Sequence, residues 1–126
     1  MLMPTELRDK AQRFRVIMRH LIMEAFAQAD VLVTPTQSTP APLIPTSAGG
    51  CGSVEEVLSG FYGVRGATGP FNLSAVPALS VPCGFTKGGL PIGVQLAARP
   101  FDELTLFQTG HAYQEKTGWH TQWPEL

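Results

Sequence analysis

The chain has 126 residues, 44% of them apolar, and a formal net charge of -1, a size and balance that suit one globular unit and exclude an intrinsically disordered segment. Near-neutral charge also argues against direct nucleic-acid binding, whose footprint is normally a basic patch on a basic domain. The longest apolar run falls far short of the ~20 residues that span a bilayer, and the N-terminus lacks a signal-peptide apolar core, so a cytoplasmic protein without a membrane partner is expected.

Residues 1–29 are expected to form an amphipathic helix. Leu7, Ala11, Phe14, Met18, Leu21 and Ala25 step by four and three, and Ile17, Ile22 and Phe26 widen the stripe. A coiled-coil seam would show similar spacing, but alanine at two seam positions favours packing on a sheet. Five of the nine lysines and arginines (Arg8, Lys10, Arg13, Arg15, Arg19) fall on this helix, where they read as its solvated face.

Residues 30–36 read as a strand. Val31 to Thr34 shows no polar alternation, which predicts burial on both faces, as in parallel strands covered by helices. Residues 37–52 form a Pro/Gly loop closing on Gly49-Gly50-Cys51-Gly52. It is no phosphate-binding loop, because the Lys-Ser/Thr that completes that motif is missing.

Residues 53–126 form a hairpin-and-helix region. Ser53 to Glu56 reads as a capping box opening a short helix through Leu58. Gly60, Gly63, Gly66 and Gly69 then surround a single charge, Arg65. Ala78 to Val81 is a short strand bounded by Pro77 and Pro82, since proline donates no ladder hydrogen bond. Thr86-Lys87-Gly88-Gly89 supplies the turn, and Ile92, Val94 and Leu96 alternate along a second strand, so the two pair as an antiparallel hairpin. Gly93 inside that strand is read mainly as a sheet kink, with a bulge or a close backbone approach as the alternatives. Asp102 is placed to cap a final helix through Leu104, Leu106, Phe107, Gly110 and Tyr113, with Lys116 in its last turn and Gly118 as its stop.

Chemistry-bearing residues are sparse. Cys51 and Cys83 make neither a disulfide framework nor a metal-ligand pattern. Cys83 follows a strand and a proline but has no base beside it in sequence. His20, His111 and His120 are scattered, so neither a metal nor a cofactor is expected.

The run NLSAVPALSVPCGFTKGGLPIGVQLAARPFDELTLF from Asn72 to Phe107, together with ADVLVTPT from Ala29 to Thr36, resembles the C-terminal part of the amidase signature family. That family includes bacterial amidases and the A component of tRNA-dependent amidotransferases. The resemblance runs from about Leu7 to Trp123 and is most specific over Pro70 to Phe85. It implies an α/β fold, a mixed sheet with an antiparallel hairpin covered by helices, of which residues 1–126 are a single C-terminal fragment.

It also implies chemistry by a serine nucleophile, a second serine on a cis peptide bond and a lysine, carried on a Gly/Ser-rich signature that precedes this region in a longer enzyme. A lysine in that role must lose its proton and relay it to the nucleophile. Lys10, Lys87 and Lys116, the three lysines here, occupy a charged helix, a turn and a helix end, and no such signature accompanies them. No catalytic residue is therefore assigned.

Arg65 is the candidate substrate-binding position. Aligned on Pro70 to Asn72, it falls where glutamine-using amidotransferase members are expected to carry an aspartate for the substrate amino group, and arginine would repel that ammonium. A solvated loop arginine is the alternative. The functional expectation is a fragment of an amide hydrolase, inactive alone, acting in its parent on a small-molecule amide. Two alternatives stay open: a fragment of the amidotransferase A component, and a non-catalytic interaction module or split-enzyme half. Exposed strand edges and apolar surface further predict a homo-oligomer or association with a missing N-terminal portion.

Overall fold

The computed structural model describes residues 4–41, 53 and 67–124. Most of the Pro/Gly loop, the capping-box helix beyond Ser53 and the stretch around Arg65 lie outside the described residues. The elements in chain order are helix α1 (Thr5–Ala25), strand β1 (Val31–Pro35), helix α2 (Thr68–Ser74), strand β2 (Ala78–Phe85), strand β3 (Pro91–Ala98) and helix α3 (Glu103–Thr117), followed by a 3-10 turn at Trp119–Thr121.

The strands form one sheet in the order β1-β3-β2, and both pairings are antiparallel. The hairpin is as expected. Its turn is held by Thr86, whose N–H donates to the Leu90 carbonyl at 2.8 Å and whose Oγ1 accepts from the Leu90 N–H. The expected mixed sheet is instead antiparallel throughout these strands, and β1 is not buried on both faces. Among the described residues it is an edge strand, with Val33 62% exposed.

Strand β2 does not stop at Pro82. It continues to Phe85 through a bulge, the register passing from Pro82 opposite Gly93 to Gly84 opposite Ile92. Gly84 accommodates the irregularity at φ 147°. Pro82 is tolerated because β2 is also an edge among the described strands and the position faces away from β3, so the N–H it lacks leaves no β2–β3 ladder bond unmade.

Alternate residues of β3 serve two cores. Ala97 joins Phe26, Phe71 and Val76 on the face covered by α2 and the C-terminal end of α1. Leu96 and Ala98 join Val81 and Leu106 on the face covered by α3. The result is a three-layer α/β/α arrangement.

Helix α1 departs from expectation along most of its length. No residue within it is buried, and Leu7, Phe14, Ile17 and Leu21 are each more than half exposed. Only its last turns, through Ile22, Met23 and Phe26, reach the core. Two of the arginines assigned to its solvated face also have partners. Arg15 Nε donates to the Leu73 carbonyl at 3.1 Å, and Arg19 Nη1 donates to the Ser74 carbonyl.

Both acceptors lie at the C-terminal end of α2, a seven-residue helix with no clear signal in the sequence. A helix end leaves carbonyls without intrahelical partners and carries partial negative charge, so guanidinium groups are favoured there. The end of α1 is treated the same way by Arg99, which donates to the Phe26 carbonyl at 2.6 Å and pairs with Asp30 Oδ1 at 2.9 Å.

In α3, Asp102 occupies the N-cap position, but its side chain accepts from the Thr105 hydroxyl at 2.6 Å rather than from a backbone N–H. Gly118 stops the helix at φ 65° as expected. Leu106 and Gly110 are buried, whereas Leu104 and Phe107 are exposed. His20 and His111 sit on helix surfaces four residues before Glu24 and Glu115.

Arg99→Ala should lower stability by about 1–2 kcal/mol, because it leaves the part-buried Phe26 carbonyl without its donor, while the exposed Asp30 carboxylate stays hydrated. Arg99→Lys should recover only part of this, since an ammonium lacks the planar fork that serves both acceptors. Urea unfolding midpoints of the two variants check the ordering.

Candidate functional site

The β3 face that begins as core at Ala97 becomes polar toward the other end of the strand. Gln95 is buried and donates from Nε2 to Thr34 Oγ1 at 3.3 Å. Two residues earlier, Thr36 and Ser80 reach toward each other from opposite neighbouring strands, and their hydroxyls are hydrogen-bonded at 2.7 Å.

Gly93 lies under this pair. A Cβ built there would sit 3.1 Å from both Thr36 Oγ1 and Ser80 Oγ, tighter than ordinary van der Waals contact. The glycine therefore marks a close approach of side chains across the central strand rather than a kink. The Thr36 N–H donates to the Gly93 carbonyl at 3.0 Å, so pairing continues one residue past β1.

An open cleft of about 640 Å³ extends from this hydroxyl pair, between Thr36 to Ala41 on one side and Ser80 to Pro82, Thr86 and Pro91 to Gly93 on the other. None of these lining residues is ionisable. Such a wall can donate hydrogen bonds to a neutral carbonyl and accept them from an amide N–H. Among the described residues it offers no base to take a proton from a hydroxyl, and an unassisted serine or threonine is a weak nucleophile.

The residues weighed from sequence are not gathered here. Lys10, Lys87 and Lys116 are exposed on α1, the hairpin turn and the end of α3. Cys83 is a half-buried free thiol at the β2 bulge and does not line the cleft. Arg65 lies outside the described residues. Among the described residues, no three His, Cys, Asp or Glu side chains gather as a metal site would require. Thr36, Ser80 and Gln95 were not singled out from sequence. Their only signal is the polar parity that Ser80 and Gln95 share across the hairpin.

Gly93→Val should destabilise the chain by about 1–2 kcal/mol, because the crowding of Thr36 and Ser80 outweighs the gain in strand propensity. Ser80→Ala, at an exposed position, should change stability by about 0.5 kcal/mol or less. Denaturant titration of both variants checks the contrast.

Comparison with known proteins agrees with this architecture. The Amidase family model matches residues 3–107. The A component of the glutamyl-tRNA(Gln) amidotransferase of Chloroflexus aurantiacus is 44% identical over 117 residues, which cover 93% of this chain and 22% of that protein. Its counterpart in Thermosynechococcus vestitus is 40% identical, with 93% and 23% covered.

Among solved structures, a 6-aminohexanoate cyclic dimer hydrolase superposes with a TM-score of 0.75 at 28% identity, covering 93% of this chain and 25% of that one. The A component of the glutamyl-tRNA(Gln) amidotransferase of Thermotoga maritima superposes with a TM-score of 0.66 at 28% identity, covering 86% and 22%. The chain thus spans about a fifth of the length of the curated relatives it matches. With the family's sequence pattern and its fold both present, the chain belongs to the amidase family.

Proposed function

We propose that this chain is the C-terminal portion of an amide-hydrolysing amidase, supplying a neutral hydrogen-bonding wall to a substrate cleft whose serine–serine–lysine chemistry resides in residues outside these 126. The observation that carries this reading is the cleft beside Thr36, Ser80 and Gly93, whose lining among the described residues holds hydroxyls and prolines and no ionisable group. The substrate is a small-molecule amide, and no nucleic acid is contacted directly. No described helix is long and apolar enough to cross a membrane, and the reading places the protein in the cytoplasm, associated with the remainder of the amidase fold.

A second reading, a portion of the amidotransferase A component, is favoured by the 44% identity to the Chloroflexus aurantiacus protein of that name. Arg65 weighs against it, because arginine at the position expected to hold the substrate amino group repels an ammonium.

The chain by itself should hydrolyse no simple aliphatic or aryl amide. Mixing it with the Chloroflexus protein lacking the matched segment should restore turnover, with simple amides preferred over glutamine, and Arg65→Asp should move that preference toward glutamine. Turnover by the isolated chain would refute the proposal, and a glutamine preference in the unsubstituted mixture would favour the amidotransferase reading.

A further inference from the structure

The Thr36–Ser80 pair closes over Gly93 on the cleft wall, and the hydrogen-bonding capacity it leaves unused limits what it can bind. Each hydroxyl carries one proton and two lone pairs. Their mutual bond of 2.7 Å consumes one proton, and either oxygen can be its donor. Among the described residues nothing else bonds to either hydroxyl: Gln95 Nε2 goes to Thr34, and the Thr36 N–H goes to the Gly93 carbonyl.

Whichever way the internal bond points, the hydroxyl that accepts it keeps its own proton, and the hydroxyl that donates it keeps only lone pairs. The pair therefore presents one donor and one acceptor side by side, and the bond is exposed among the described residues. Gly93 permits this display, because a Cβ there would sit 3.1 Å from both oxygens and press them apart. No ionisable group in the described lining competes for either hydroxyl.

We infer that the pair selects an amide whose N–H and C=O point the same way, as in a primary carboxamide or a small lactam. The inference rests on the proposed function in taking the cleft as one that receives an amide. The amide N–H donates to one hydroxyl, that hydroxyl donates to the other, and the other donates to the amide carbonyl. Donors and acceptors then run head to tail round a closed ring, each bond polarising the next. Because the internal bond can reverse, the ligand fits either way round.

An open-chain secondary amide holds its N–H opposite its C=O, since the trans form is strongly favoured, and makes only one of the two outward bonds. A carboxylate brings two acceptors to a single donor. An ammonium meets acceptors, but no carboxylate in the described lining neutralises it. Thr36 and Ser80 thus determine specificity rather than supply a nucleophile.

The test is a titration of the full chain with hexanamide, δ-valerolactam, N-methylhexanamide and hexanoate, followed by the backbone amide resonances of Thr36, Ser80 and Gly93. Aliphatic probes suit the apolar lining at Val81, Pro82, Pro91 and Ile92. Hexanamide and the lactam should shift all three resonances saturably, with N-methylhexanamide and hexanoate binding about tenfold more weakly, as expected for one lost hydrogen bond. Ser80→Ala leaves a single hydroxyl that meets both amide groups only through bent, weakened bonds, so most of that preference should disappear, and Ser80→Thr should restore it. Thr36→Val removes the other hydroxyl at nearly constant shape and serves if Ser80→Ala does not fold. Equal binding of hexanamide and N-methylhexanamide, no shift at the three amides, or a preference undiminished in a folded variant lacking either hydroxyl overturns the inference. An intact binding preference in a chain whose mixture with the shortened Chloroflexus protein turns over no amide refutes the proposed function alone.

Discussion

The structure depends on β3 serving two different environments with alternate residues. Ala97, Gln95 and Gly93 face α1, α2 and the open cleft, whereas Ala98, Leu96 and Val94 face α3. Because side chains alternate with a period of two, a one-residue slip against either neighbour would drive Gln95 into the Leu106 cluster and Leu96 toward the hydroxyls. The register is thus fixed by the chemistry of both faces at once, and it brings Thr36 and Ser80 together over Gly93.

Helix ends impose the second constraint. The C-terminal carbonyls of α1 and α2 receive guanidinium groups from distant parts of the chain: Arg99 on Phe26, and Arg15 and Arg19 on Leu73 and Ser74. These contacts join α1 to the end of β3 and to the segment leading into β2. Since α1 buries none of its own residues, they hold it, together with the packing of Ile22, Met23 and Phe26 at its end, and the exposed Leu7, Phe14, Ile17 and Leu21 contribute little within the described fold.

Local signals made part of this arrangement legible. Thr86 to Gly89 between two alternating runs specifies the hairpin, and Gly118 after Lys116 specifies the end of α3, because turns and helix stops depend on the residues that form them. What depended on tertiary partners was not legible. Arg15 and Arg19 look like any solvated pair until α2 presents its carbonyls. The α2 segment TGPFNLS is short and opens without a capping side chain, so nothing in it outweighs its glycine and proline. Pro82 ends β2 only on the assumption of an interior strand. Gly93 reads as a kink from sequence because its reason lies in Thr36 and Ser80, which are distant along the chain. Of the cleft, the Thr36-to-Ser80 pairing could not be seen without the sheet order, although the resemblance had already located the chain in its family.

The fold therefore positions a wall that is neutral among the described residues, within a family whose relatives are four to five times longer than the matched segment. On the proposed function, acyl transfer is not performed by residues of this chain. The most direct measurement is intact-mass analysis after exposure to a serine-directed acylating probe, with thiol alkylation controlling for Cys83. An unmodified mass is the predicted result. A stoichiometric adduct on Ser80 or any other serine would contradict the account, and at Ser80 it would require an activated hydroxyl where the described cleft lining provides no ionisable neighbour.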